Sequence, residues 1–175
     1  MNTMLPSGAV VALGYRYPEL NSLERLTDAL ESLAANDVER HMQRFIEAVR
    51  PLTLGEWEEL HTATLDLSAT VVPYVGHVVW GENYRRGAFM ADLQAAMNAA
   101  GIDLDGELPD HIEPILRYLA ITDEPLADLV EVLPGAVVEM EHMLRKAAPD
   151  NPYRHLLAAT VACAANTPVR IGGRR

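Results

Sequence analysis

Lysine and cysteine are almost missing from this chain: Lys146 is the only lysine and Cys163 the only thiol. A single cysteine excludes an internal disulfide framework. Its place in the apolar run "LLAATVACAANT" predicts a buried small hydrophobe rather than a nucleophile, and a reducing compartment suits such a chain. No uninterrupted apolar run reaches the length of about 18 residues that a membrane span needs. The N-terminus has neither the basic flank nor the long apolar stretch of a signal peptide. The expectation is a cytoplasmic protein without direct membrane insertion. Catalytic signatures are missing too: there is no G-x-S-x-G elbow, no Walker-type glycine loop, no H-E-x-x-H and no C-x-x-C.

What the chain has is acid. Its 25 Asp and Glu outnumber 14 Lys and Arg, for a formal net charge of −11. Phosphate neutralisation needs a basic face, so nucleic acid is not the expected partner. A basic peptide would suit this balance, and so would the plainer role of acidic charge in keeping a surface solvated. A length of 175 residues is enough to bury a core in one domain, and no repeat, low-complexity tract or linker divides it. Residues 1–175 are therefore expected to form one domain, with a loose tail from about 167 to 175.

Apolar spacing is helical wherever it can be judged. Leu23, Leu26, Leu30 and Leu33 form one stripe, and Val38, Met42, Phe45 and Val49 the next, with Asp37 placed to cap it. Beyond Pro51, Thr53 and Glu56 have capping-box spacing ahead of Trp57, Leu60 and Thr64. Phe89, Leu93, Met97 and Ala100 predict a helix that Gly101 ends. Pro109 suits the first turn of another carrying Ile112, Ile115, Leu116 and Leu119, although Pro114 then requires a delayed start. Pro134 and Gly135 predict two shorter helices between Pro125 and Lys146, and a last helix runs from Pro152 to about Asn166. The segment from Thr70 to Gly81 is rich in β-branched and aromatic residues. A lone strand there has no partner, so a buried helix with Tyr74, Val75, Val78 and Val79 inside is expected. The fold class is all-α: a single helical bundle of about eight to ten helices.

Two constellations bear on function. Glu58 with His61 and Glu139 with His142 have the Glu-x-x-His spacing of a carboxylate di-iron site, which would make the chain a metal-dependent helical-bundle enzyme. Two such pairs are only mildly unusual among 15 Glu and six His, and exposed pairs on helix surfaces are the simpler reading. His41 and His155, among charged or polar neighbours, also read as exposed. His77 lies in the apolar segment and reads first as a buried, satisfied histidine. Asp66 reads as a helix-terminal cap and Trp80 as core packing, each with a partner-contact alternative. Asp110 could serve a helix start with His111 beside it, but capping leaves unexplained why Glu107, Asp110 and His111 gather around Pro109. Arg85 and Arg86 open a helix whose dipole disfavours cations, so an internal pairing, to Asp66 or Glu82, is expected.

The segments "LDLS", "GENYRRGAFMADL" and "AAGIDLDGELPDHIEPILRYLA" resemble the nitrate reductase delta-subunit group of the all-helical redox-enzyme maturation chaperones. The wider family also serves trimethylamine-oxide and dimethyl-sulfoxide reductases. The group's "E-x-PDH" element stands here as Glu107, Pro109, Asp110 and His111. Its "Y-x-x-T-F-D" element is matched at Thr64 and Asp66, with His61 in place of tyrosine and Leu65 in place of phenylalanine. "LGYRYPEL" from Leu13 and "NPYRHLL" from Asn151 extend the resemblance over about residues 11 to 160. It implies a chaperone with no turnover of its own. Such a protein binds the N-terminal or twin-arginine-type segment of a molybdoenzyme catalytic subunit and holds it for molybdenum-cofactor insertion. It implies no tightly bound cofactor, with a transient contact to the client's molybdenum cofactor left open, and a monomer or homodimer. The partner-peptide residues expected are Glu107, Pro109, Asp110, His111, Asp66, Tyr74, His77 and Trp80. Tyr74, Val78 and Trp80 could line an apolar groove, and Asp66, Glu107 and Asp110 could meet a basic partner.

Overall fold

The computed structural model describes residues 6–66 and 70–167; residues 67–69 and 168–175, which include the end of "LDLS" and nearly all of the expected tail, lie outside the described residues. Nine helices occur among the described residues. They are α1 (Ser7–Tyr15), α2 (Ser22–Leu30), α3 (Asp37–Val49), α4 (Leu54–Leu65), α5 (Val75–Trp80), α6 (Tyr84–Ala99), α7 (Ile112–Ile121), α8 (Ala127–Ala147) and α9 (Tyr153–Ala165). The fold is all-α, as expected, with one isolated antiparallel bridge between Tyr74 and His111.

One buried element, α1, is not singled out by the apolar periodicity. Val10, Val11, Ala12 and Tyr15 are all buried, because α1 packs on α7 along one side and α9 along another. A helix covered on several sides needs no polar face, so it carries no amphipathic signature. Two glycines set its distance from its neighbours. A Cβ at Gly8 would sit 2.8 Å from the Leu116 carbonyl oxygen, and one at Gly14 would sit 2.5 Å from Leu156 Cδ1. The α3 stripe meets α9, where Phe45 lies against Tyr153 with ring centroids 5.2 Å apart. Trp57 and His61 of α4 both reach the buried Tyr153 hydroxyl, the indole Nε1 donating over 3.1 Å and His61 Nδ1 lying 3.0 Å away. Cys163 is buried, as expected.

Local signals decide most of the helix ends. The Thr53–Glu56 capping box is complete, with Glu56 N–H donating to Thr53 Oγ1 and Thr53 N–H donating to Glu56 Oε2. Gly101, at φ +74°, closes α6 one residue beyond its C-cap. At α3 the cap is Asn36 rather than Asp37: the Asn36 side chain accepts from Glu39 N–H and Asp37 becomes the first helical residue. Leu33 lies past the end of α2 but still packs on the core.

The expected break at Pro134 and Gly135 does not occur, and α8 runs unbroken over 21 residues. Both residues lie on its exposed face while Leu129, Leu133, Ala136, Val137, Met140 and Leu144 are buried. The backbone bond that the proline cannot make is lost where water can replace it, and the buried stripe holds the helix together across the gap. The segment from Thr70 is helical only from Val75, and six residues long. Val75 is buried, Tyr74 and Val78 are half-buried, and Val79 is exposed, so this helix is not enclosed on several sides. Its strand-like composition has a use after all. Val75 N–H donates to the Asp110 carbonyl over 2.8 Å and Ile112 N–H to the Pro73 carbonyl over 2.9 Å, one rung of antiparallel pairing.

An unbroken α8 predicts that Pro134→Ala raises the unfolding free energy by about 1–3 kcal/mol, since a helix-interior proline is unfavourable by roughly that amount. Urea denaturation measures it, and a fall in stability would mean that the bundle requires the proline.

Candidate functional site: an acidic cleft beside the Tyr74–His111 bridge

The rung between Tyr74 and His111 ties the two unusual segments together and decides which of their side chains meet. Helix α7 starts at Ile112, later than Pro109 suggested, and Pro114 falls in its first turn, where its missing N–H breaks no helical bond. The roles expected of Asp110 and His111 are exchanged. His111 is the N-cap, its Nδ1 accepting from Glu113 N–H over 3.1 Å. Asp110 is fully buried and faces Arg86 of α6, which donates through Nε over 2.9 Å and Nη2 over 3.4 Å in a two-pronged pair. That pairing raises the Arg86 pKa further above its ordinary value. Arg86 also donates from Nη1 to Glu82 over 3.2 Å, so it pairs internally as expected, with Glu82 and Asp110 rather than Asp66. Arg85 is exposed. Gly76 is where α5 passes this pair: a Cβ there would lie 2.7 Å from Asp110 Oδ2 and 3.0 Å from Arg86 Cγ.

On the other side of the rung opens a cleft of about 450 Å3. Its walls are aromatic, with Tyr15 and Tyr17 from the end of α1, His61 from α4, and Tyr74 and His111 from the rung. Its rim carries Asp66, Asp105, Glu107 and Glu113 against one cation, Arg16. Arg16 pairs with Glu113 at 3.3 Å, and Glu113 is also held by Arg117 at 2.8 Å, so one of the four carboxylates is neutralised. Glu107 accepts from the Tyr74 hydroxyl and from Leu108 N–H, both at 2.9 Å. Asp105 and Gly106 have positive φ, +52° and +83°, and this turn delivers Glu107 to the rim. Asp66 is exposed at the C-cap of α4.

The imidazoles of the cleft are held neutral. Burial pushes His61 down to about 4, against a smaller upward pull from Asp66. Burial also lowers His111, with Glu107, Glu113 and Asp110 pulling upward. Tyr74 is pushed up to about 12, first by burial and then by its bond to Glu107 and the neighbouring acids. Its ring lies edge-on to His111, with centroids 5.1 Å apart, and the Arg86 guanidinium carbon sits 5.6 Å from the ring centre. The cleft is therefore an anionic, aromatic-walled recess that favours a cation with apolar flanks.

Of the eight residues expected at a peptide site, Glu107, His111, Asp66 and Tyr74 line this cleft. Pro109 and Asp110 lie buried outside its lining. His77 is half-exposed rather than buried and pairs with Glu82 at 3.1 Å, while Trp80 packs on Phe89 with centroids 5.1 Å apart; neither reaches the cleft. The groove expected from Tyr74, Val78 and Trp80 is thus not one surface. Tyr15, Arg16, Tyr17, Asp105 and Glu113 line the cleft and were not singled out individually, although the first three belong to the "LGYRYPEL" segment.

His61 is buried, not part of an exposed pair, whereas His142 is exposed beside Arg145. Among the described residues the two Glu-x-x-His pairs do not gather into a group of three or more possible metal ligands. His41 and His155 are half-buried rather than exposed.

Removing the Asp110 carboxylate strands a nearly buried guanidinium. Asp110→Ala should lower the unfolding free energy by about 3–5 kcal/mol, and His111→Ala, which loses a cap, by about 0.5–2 kcal/mol. Equal effects in denaturant titrations would remove Asp110 from its anchoring role. A histidine whose folded pKa is depressed binds its proton more readily when unfolded, so stability is complete above about pH 6.5 and falls as pH drops towards the folded value of about 4 for His61. His61→Gln should flatten that fall in pH-dependent unfolding; an unchanged slope would assign it to other groups. No family model matches the chain, and no curated protein matches it.

Proposed function

We propose that the protein is a cytoplasmic assembly chaperone of the redox-enzyme maturation type. In this reading it binds the N-terminal segment of a molybdoenzyme catalytic subunit and holds that subunit while the molybdenum cofactor is inserted. The observation that carries the reading is the anionic cleft, which Glu107 and His111 of the "E-x-PDH" element line together with Asp66 and Tyr74. A basic, apolar-flanked segment of the twin-arginine kind has the matching chemistry: guanidinium groups for Asp66, Asp105 and Glu107, and apolar neighbours for Tyr17 and Tyr74. Tyr17, exposed at 52%, lies edge-on to His61 with centroids 5.4 Å apart and offers such a surface.

Two features suit holding rather than turnover. The imidazoles are neutral and buried, and their Nδ1 atoms are engaged, His61 with Tyr153 and His111 with its own helix. The sharing of roles within the element also fits: Asp110 builds the site, and Glu107 and Asp66 present charge. The reading needs no cofactor of the chaperone's own.

Calorimetry with a synthetic peptide carrying paired arginines in an apolar flank tests this. Saturable binding is expected, weakened about tenfold by Glu107→Gln and again by Asp66→Asn, as losing one charge-assisted bond implies. Binding unaffected by both variants would exclude the cleft as the peptide site.

A further inference from the structure

The hydrogen bonds around the two cleft imidazoles decide which nitrogen of each ring carries the proton. Tyr153 is fully buried, and its hydroxyl oxygen already accepts from the Trp57 indole N–H, a group that can only donate. Among the described residues the phenolic proton then has one acceptor, His61 Nδ1 at 3.0 Å, and a buried hydroxyl left unpaired would be costly. His61 Nδ1 therefore carries a lone pair and no proton. His111 Nδ1 does likewise, because it accepts from the Glu113 backbone N–H. Burial disfavours the charged form of both rings. A neutral imidazole with a bare Nδ1 holds its proton on Nε2, so both rings are Nε2–H donors.

Among the described residues neither Nε2 has a hydrogen-bond partner, and neither belongs to the side-chain atoms sealed from solvent without one. Each residue is more than nine-tenths buried, and the opening that both rings line is the acidic cleft, so the two donors face into it. The acids there are of the opposite kind: Asp66, Asp105 and Glu107 accept only. Arg16 and the Tyr74 hydroxyl already donate to Glu113 and Glu107. A purely cationic ligand would satisfy the carboxylates but cover two N–H groups without an acceptor, which is unfavourable. An anion would meet the donors and be repelled by three carboxylates. Neutral oxygens carried beside cations answer both, and a polypeptide backbone carries such oxygens between basic side chains.

We propose that the Nε2–H groups of His61 and His111 are recognition donors for the backbone carbonyl oxygens of an extended basic segment. The inference rests on the peptide reading and deepens it: the rim acids take the side chains, and the imidazoles take the main chain. Main-chain contacts do not depend on sequence, so the cleft fixes the register of the segment while tolerating different residues between its arginines.

Nitrogen-15 ring spectra of the full chain with labelled histidine test the donor state, and calorimetry tests its use. Both rings are expected as Nε2–H tautomers, and titration with the paired-arginine peptide should shift both Nε2 signals. Asparagine places its amide oxygen near the Nδ1 position and nothing at Nε2. His111→Asn therefore keeps the cap and His61→Asn keeps the bond to Tyr153, while each removes one donor from the cleft. Each should weaken the peptide about three- to tenfold, as the loss of one hydrogen bond implies. Spermine, which brings cations and no acceptor oxygen, should bind both variants as it binds the parent and lose affinity in Glu107→Gln. An Nδ1–H tautomer in either ring, peptide affinity unchanged in both Asn variants, or spermine weakened as much as the peptide would overturn the inference and leave the peptide reading in place. A parent chain that takes up no peptide would overturn both.

Discussion

The pairing of Asp110 with Arg86 fixes everything around the cleft. A fully buried carboxylate is tolerable only with a charged, hydrogen-bonded partner, and Arg86 meets it with two N–H groups. The constraint reaches further than the pair. Asp110 sits beside the rung, where its backbone carbonyl accepts from Val75 N–H, so the residue whose carboxylate binds α6 also pins the start of α5. Gly76 follows directly, because any side chain there would collide with Asp110 and Arg86. The starts of α5 and α6 and the stretch before α7 are thereby locked at one point, and His111, the next residue, is turned the opposite way into the cleft. Pairing period does this: neighbouring residues in an extended stretch face opposite sides.

That division explains why one short element holds two kinds of residue. Asp110 is spent on architecture, and its charge is cancelled before any ligand arrives. Glu107 and Asp66 keep theirs at the rim. Burial of His61 and His111 works in the same direction, since neutral imidazoles leave the acidic field of the cleft uncompensated. Arg16, the one cation there, is already occupied by Glu113.

How much of this was legible in the sequence depended on the range of the interaction. Short-range signals read correctly: the Thr53–Glu56 box, the Gly101 stop and the stripes of α3 and α6 are set within a turn or two of chain. Readings failed where tertiary packing overrode local preference. Helix α8 survives Pro134 because the bundle buries its other face, and α1 escaped notice because burial on several sides removes the polar stripe that marks a helix. In the site, the crowding of Glu107, Asp110 and His111 was visible as an anomaly, but its cause was not. The partner of Asp110 lies 24 residues away, and a pattern of spacing cannot distinguish a carboxylate that caps a helix from one that crosses to another. His61 misled in the opposite sense: its Glu-x-x-His spacing suggested a helix surface, while Tyr153, 92 residues on, draws it into the core.

The distribution of charge makes a last connection between fold and function. With 14 basic residues among 25 acidic ones, this chain has few cations to place, and where they go is informative. Arg86, Arg117 and Arg16 secure carboxylates around the cleft, and each sits where a missing cation would leave an acid buried or crowded. Their use there leaves Asp66 and Asp105 at the rim and Glu107 bonded to neutral donors, so the acidity of the cleft is a local surplus rather than a sample of the overall charge. A general acidic surface would repel anions and attract cations weakly everywhere. A walled recess whose surplus acids stand beside aromatic rings concentrates that attraction at one place, and a lower local dielectric strengthens each pairing made inside it. In the proposed reading, selectivity for a basic segment would follow from where the few arginines have been committed, more than from the number of acids.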